Sequence, residues 1–154
     1  MGFQRHSASG LHPRRALTVA MPKGRAWLAV AAGGLIGSEL RYGLGLALPD
    51  ASGAVPWTTL GINIIGSFVL AALTTVWIAR PHTAFWLRAA IGPGLLGSFT
   101  TFSAVIYASD QLVRASAHPV WITYLALSLV LGLAAAGAGW RTGRLVSRRR
   151  DGQP

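Results

Sequence analysis

Three sets of residues repeat at intervals of four in an otherwise apolar chain. Gly33, Gly37, Arg41 and Gly45 form one set, Thr59, Asn63 and Ser67 a second, and Tyr124, Ser128 and Gly132 a third. A spacing of four places each set on one face of a helix. The Asn63 amide offers two donors and an acceptor, and the hydroxyls of Thr59, Tyr124 and Ser128 can donate as well. Each set also has a plainer reading. Glycines at that spacing let helices approach closely, and Asn, Ser and Tyr form interhelical hydrogen bonds of about 1 kcal/mol. Arg41 is different, because a charge within a membrane span faces water, a partner or a pathway. Glu39 lies two residues away, on another side of the helix.

A fourth element is the run from Gly92 to Ser103, Gly-Pro-Gly-Leu-Leu-Gly-Ser-Phe-Thr-Thr-Phe-Ser, at the centre of a stretch without charges from Ala89 to Ser109. The stretch is long enough to cross a bilayer. Its glycines, proline and threonines predict a broken helix. Backbone groups released by a break cost several kcal/mol each in hydrocarbon. The break must therefore be buried in protein, line a polar cavity or hold an ion.

The elements that must position these residues are membrane spans. Of 154 residues 52% are hydrophobic and 12% charged, with a mean hydropathy of +0.47. Soluble domains carry about 25% charged residues. The absence of cysteine excludes disulfides and thiol chemistry. The spans lack the side chains for a hydrolytic triad or a metal-carboxylate centre, so no enzyme is expected. A net charge of +10 could suggest nucleic acid, but the basic residues flank spans instead of forming a nucleic-acid patch.

The expected architecture is an all-α integral membrane protein. Residues 1–25 form a basic, disordered tail, 26–141 a four-span membrane domain, and 142–154 a basic tail. The spans run from about 26 to 48, 56 to 79, 84 to 113 and 119 to 140, the third broken at mid-membrane. Ala16 to Met21 is too short for a signal-peptide core, and Met21 is an alternative start to Met1. Trp57, Trp77, Trp86, Trp121 and Trp140 fall near span ends, as interfacial anchors do. Twelve of the 14 basic residues collect on the side of the two termini, leaving Arg41 and Arg114 on the other. The positive-inside rule makes both termini cytoplasmic in the cell membrane.

Four stretches in order resemble the Fluc/CrcB fluoride channels: Gly33 to Tyr42, Thr59 to Phe68, Gly94 to Ser103, and the weaker Tyr124/Ser128 track. The resemblance covers about residues 28–140. It implies antiparallel dimers of four-span subunits with two fluoride pores. It implies a structural, untransported sodium ion on the dimer axis, held by the backbone carbonyls of Gly97 and Thr100 from both subunits. Asn63 matches the pore asparagine, Phe102 the first pore phenylalanine and Arg41 a vestibule arginine, while Tyr124 and Ser128 match a polar track. These assignments suit the ion. Fluoride must exchange its water shell for donors, and a phenyl edge is the positive part of the ring. A break built of carbonyls suits a hard cation.

Two positions depart from the family pattern. Val105 stands where a second phenylalanine is usual, and Gly132 where a serine is usual. With the charge bias, these departures imply a choice of partner: a second copy, or an oppositely oriented paralogue that supplies the missing ring. Two other classes compete. A small four-span multidrug or cation antiporter needs a deep carboxylate, for which Glu39 is the one candidate. A non-transporting membrane scaffold would use the glycines for packing alone. Neither accounts for the run from Gly97 to Ser103.

Overall fold

The computed structural model describes residues 24–151. The expected N-terminal tail lies almost wholly outside them, though Gly24 and Arg25 already belong to the first helix. The described chain is helical throughout: α1 (Gly24–Ala47), α2 (Trp57–Ala79), α3 (Phe85–Ala89), a π-helical stretch (Ala90–Leu96), α4 (Gly97–Phe99), α5 (Phe102–Arg114) and α6 (His118–Asp151). These make four columns in the expected order. Three are long and apolar enough to cross a membrane: Trp57–Ala79, Phe85–Arg114 and His118–Arg148. Helix α1 has 24 residues, about 36 Å at 1.5 Å per residue, but carries Glu39, Arg41 and a series of glycines and is not among the three.

The chain pairs its columns unequally. Helix α1 packs along α3, the π stretch and α4, while α2 packs along α6. Both seams rest on glycine. A Cβ on Gly33 would overlap the Ala90 carbonyl, and one on Gly37 would overlap that of Leu95. At Gly94 a Cβ would stand 2.9 Å from the Val30 carbonyl oxygen. On the other seam, a Cβ on Gly139 would overlap the Phe68 carbonyl, and one on Gly143 would stand 2.7 Å from that of Ala72. Backbones this close gain dispersion contacts that larger side chains would forbid. Gly45, which continues the α1 spacing, faces open space and packs against nothing. A separate apolar core joins Leu60, Val105, Leu112 and Tyr124, with Trp121 and Leu125 against it.

Three sequence expectations change. The last helix does not stop at 140 but runs to Asp151, so most of the expected C-terminal tail is helical. The region from 141 onward needs no core of its own, because Gly143 keeps it seated on α2. Second, the break expected within the run from Gly92 to Ser103 narrows to its threonines, and Pro93 does not interrupt the column. It sits inside the π stretch, whose wider i→i+5 turns replace the α ladder where a proline N–H is missing. The true interruption is at Thr100 and Thr101, both extended, with φ/ψ of −88°/140° and −154°/132°. Third, two tryptophans expected as interfacial anchors also have protein contacts on one side while half-buried: Trp77 lies beside Gly92, and Trp121 packs against the apolar core.

Candidate functional site

The site is the Thr100–Thr101 break and the side chain that holds it, Asn63. In an uninterrupted helix the Thr101 N–H would donate to the Gly97 carbonyl. Here it donates to Asn63 Oδ1 at 3.0 Å, and Asn63 Nδ2 donates back to the Thr101 carbonyl at 3.4 Å. One side-chain amide thus satisfies both backbone polar groups of the half-buried Thr101. The interhelical hydrogen bond expected for Asn63 as its plainer role is present. One of its two amide hydrogens is still available. Upstream, the Leu96 carbonyl accepts from the Thr100 N–H at 2.9 Å and from Thr100 Oγ1 at 2.8 Å. Downstream, Thr101 caps α5: its Oγ1 accepts from the Ser103 N–H at 3.2 Å and lies 2.6 Å from Ser103 Oγ. Gly66 on α2 makes room for Thr100, whose methyl would collide with any Cβ there.

This arrangement leaves backbone oxygens free of the helical ladder. The Gly97 carbonyl has lost its Thr101 donor, and Thr100, being extended, lies outside the helical ladder. Among the described residues no group of three His, Cys, Asp or Glu side chains gathers in one place. Cation ligands near the break would therefore be carbonyl oxygens, which suit a hard monovalent ion.

Asn63 and Thr101 stand between two cavities. One, of about 250 Å³, is lined by Arg41, Asp50, Thr58, Thr59, Asn63 and Thr101 among others. Arg41 Nε is buried there and has no hydrogen-bond partner. Asp50 Oδ1 accepts from the Thr58 N–H at 3.1 Å, and Thr58 Oγ1 donates to the Leu48 carbonyl at 2.6 Å, fixing the start of α2. The other cavity, of about 500 Å³, is lined by Asn63, Ser67, Thr101, Phe102, Ser128 and Gly132 among others. Its wall includes Val105, Leu125 and Leu129. A chain of hydroxyl and amide groups therefore runs from Arg41 past Asn63 to Ser128.

The residues 28–140 match the family model described as CrcB-like protein, Camphor Resistance (CrcB). The chain belongs to the CrcB family. Within that family it is 41% identical over 115 residues to the fluoride-specific ion channel FluC 2 of Geobacillus kaustophilus, covering 74% of this chain and 89% of that one. It is 41% identical over 119 residues to FluC of Xanthomonas axonopodis, covering 75% and 89%. It is 39% identical over 118 residues to a FluC of Thermus thermophilus, covering 76% and 94%. As a CrcB protein it falls in a family of ion channels, not of enzymes.

In this CrcB chain the sequence-selected residues divide into groups. Arg41, Thr59, Asn63, Phe102 and Ser128 line one or other of the two cavities that share Asn63 and Thr101. Tyr124 does not line either; it is fully buried in the core, at 0% exposure, one turn from Ser128. The hydroxyls of Tyr124 and Ser128 are both buried without a hydrogen-bond partner. Gly97 lies on the wall of another cavity, of about 520 Å³, with Trp77, Arg88 and Pro93. Thr100 lines the Ser128 cavity. The residue that sequence reasoning missed is Thr101. Its signal was present as a hydroxyl residue followed by an apolar-periodic run, the mark of a helix N-terminus. The second missed residue is Asp50, read only as a loop residue although its carboxylate caps α2 beside Arg41.

Proposed function

We propose that this chain is a subunit of a fluoride-selective channel that lets fluoride leave the cytoplasm passively. The observation that carries this reading is the Asn63 amide: it braces the break with one donor and one acceptor and stands between two cavities with one N–H to spare. A small, strongly hydrated anion needs such donors in series, and no carboxylate among the described residues lines the second cavity. Family membership and the names of the relatives agree with it.

On this reading, Arg41 draws the anion into the first cavity by charge. Thr59 and Asn63 replace part of its water. Phe102, 76% exposed, turns its ring edge to the anion across an open face where a second subunit packs. Ser128 offers a hydroxyl further along, and the Tyr124 hydroxyl lies one turn away beneath the wall. The Gly97 and Thr100 carbonyls, freed from the ladder, would hold a sodium ion between two antiparallel subunits. When bound, that ion would neutralise carbonyl dipoles otherwise turned toward one another. Both termini are cytoplasmic, following the positive-inside rule.

The partner is a paralogue in the opposite orientation. Val105 is only 6% exposed and packs in the core, so this chain presents one ring to the pathway, not two. The test is fluoride efflux from loaded liposomes, followed by electrode with chloride as the comparison. Selective fluoride release with the paralogue present, and little from this chain alone, is the expected result. Equal chloride release would sink selectivity, and full flux from this chain alone would sink the heterodimer. Replacing sodium on both sides by a large organic cation should abolish flux; unchanged flux would remove Gly97 and Thr100 as ligands.

A further inference from the structure

The basic end of α6 is not absorbed by ion conduction. No charged residue occurs from Pro119 to Trp140, and five arginines follow between 141 and 150. A tail of that composition has no reason to stay ordered in water, yet α6 continues through it and remains against α2. Gly143 is the device: it is buried, and its missing side chain lets α6 contact Ala72 and Thr75.

That contact forms the floor of a cavity of about 360 Å³, lined by Thr75, Ile78, Ala79, Trp140, Arg144, Ser147 and Arg148. Arg144 and Arg148 are four apart, so both project to the same face. The Arg144 guanidinium is stacked on the Trp140 ring, 4.7 Å from its centroid, which holds it at the cavity mouth. Ser147 Oγ is already engaged, donating to the Gly143 carbonyl at 2.9 Å. The guanidinium N–H groups are therefore the donors offered to a ligand. No carboxylate lines the cavity among the described residues. The rest of its wall is Trp140 with Thr75, Ile78 and Ala79 of the membrane-spanning α2, and the Thr75 hydroxyl is already engaged, donating to the Ala71 carbonyl at 2.7 Å.

We propose that this cavity binds the phosphate of an anionic membrane lipid. The paired guanidiniums take the phosphate oxygens, a geometry in which arginine excels. The acyl chains lie along Ile78, Ala79 and the exposed face of Trp140, at the depth where tryptophan and headgroups meet. Charge complementarity identifies the occupant: two cations, no acid and an apolar wall fit an anionic lipid and not a zwitterionic one.

The experiment uses the full chain purified in neutral detergent. Phosphatidylglycerol or phosphatidylcholine is added, and retained lipid is counted by native mass spectrometry. Phosphatidylglycerol should be retained saturably and phosphatidylcholine should not. Replacing both Arg144→Gln and Arg148→Gln should weaken retention about 30-fold, since each arginine near an anionic surface contributes roughly fivefold. Arg144→Lys with Arg148→Lys keeps the charge but not the fork, and should retain phosphatidylglycerol better than the Gln variant and less well than the unaltered chain; retention no better than that of the Gln variant would overturn the charge argument. Inorganic phosphate alone should not compete at millimolar concentration. Undiminished phosphatidylglycerol retention in the Gln variant would overturn the site, and competition by free phosphate would overturn the lipid as its occupant. Fluoride flux is not the readout, so failure of the channel reading leaves this outcome unaffected.

Discussion

Before the break, residues 90–99 are held by backbone against backbone. Gly33 and Gly37 of α1 admit the Ala90 and Leu95 carbonyls at distances that leave no room for a Cβ. After the break, α5 is held by side chains: Val105 and Leu112 pack with Leu60 and Tyr124, and Thr101 caps the helix. The first arrangement fixes position tightly but tolerates no substitution. The second can repack, within the limits of a dense core. Asn63 joins them, because it bonds to both backbone polar groups of Thr101, which lies between the two.

The sharpest way to break the contrast is at the glycine seam. Gly37→Leu should destabilise beyond about 4 kcal/mol, the exceptional end for single substitutions, because carbonyl and backbone nitrogen stand where its Cβ must go. Loss of monodisperse protein in detergent is the expected observation. A well-folded Gly37→Leu variant would contradict the seam. Next comes the joint. Asn63→Leu keeps volume but strips both partners from the Thr101 peptide, at about 1–3 kcal/mol for each group left unpaired. Thermal unfolding should drop accordingly, and fluoride efflux should fall together with it.

The side-chain-packed half gives a smaller and graded response. Val105→Phe overfills the core beside Tyr124 and should cost about 1–3 kcal/mol, so restoring the family's second ring should not restore a working path by itself. Gly132→Ser meets open space on the cavity wall, so it should fold normally and extend the hydroxyl track, read as faster efflux with the partner present. The smallest effect belongs to Gly45→Ala. It shares the spacing of Gly33 and Gly37 but touches nothing, and should gain up to about 1 kcal/mol from helix propensity. If Gly45→Ala instead proved as damaging as Gly37→Leu, the seam would extend further than the structure has it.

Much of the site was legible because membrane physics leaves few reasons for certain residues. An amide in the middle of α2, a charge near the end of α1 and a glycine-threonine run in a long apolar stretch each stand out against lipid-compatible neighbours. Spacing alone then grouped Thr59 with Asn63 and Tyr124 with Ser128. Spacing could not separate Gly37 from Gly45, because both lie on the same face and only the neighbouring column distinguishes contact from open space. Nor could it reveal that Tyr124 is sealed within the core while Ser128, one turn away, reaches a cavity.

Local composition and period were enough to establish the class, four helical columns of which three are apolar enough to span, their order and the side chains they carry. None of these needs a partner segment to be read. Where the third column breaks is different, because it depends on what packs against it. Glycine, proline and threonine marked the whole run from Gly92 to Ser103, and within it α1 closes around residues 92–94 and a π turn absorbs the proline. The ladder opens instead at Thr100 and Thr101, because Asn63, 38 residues before Thr101 in the chain, is there to satisfy the released peptide. A helix breaks where something can receive its backbone groups, and that is a property of the packed fold.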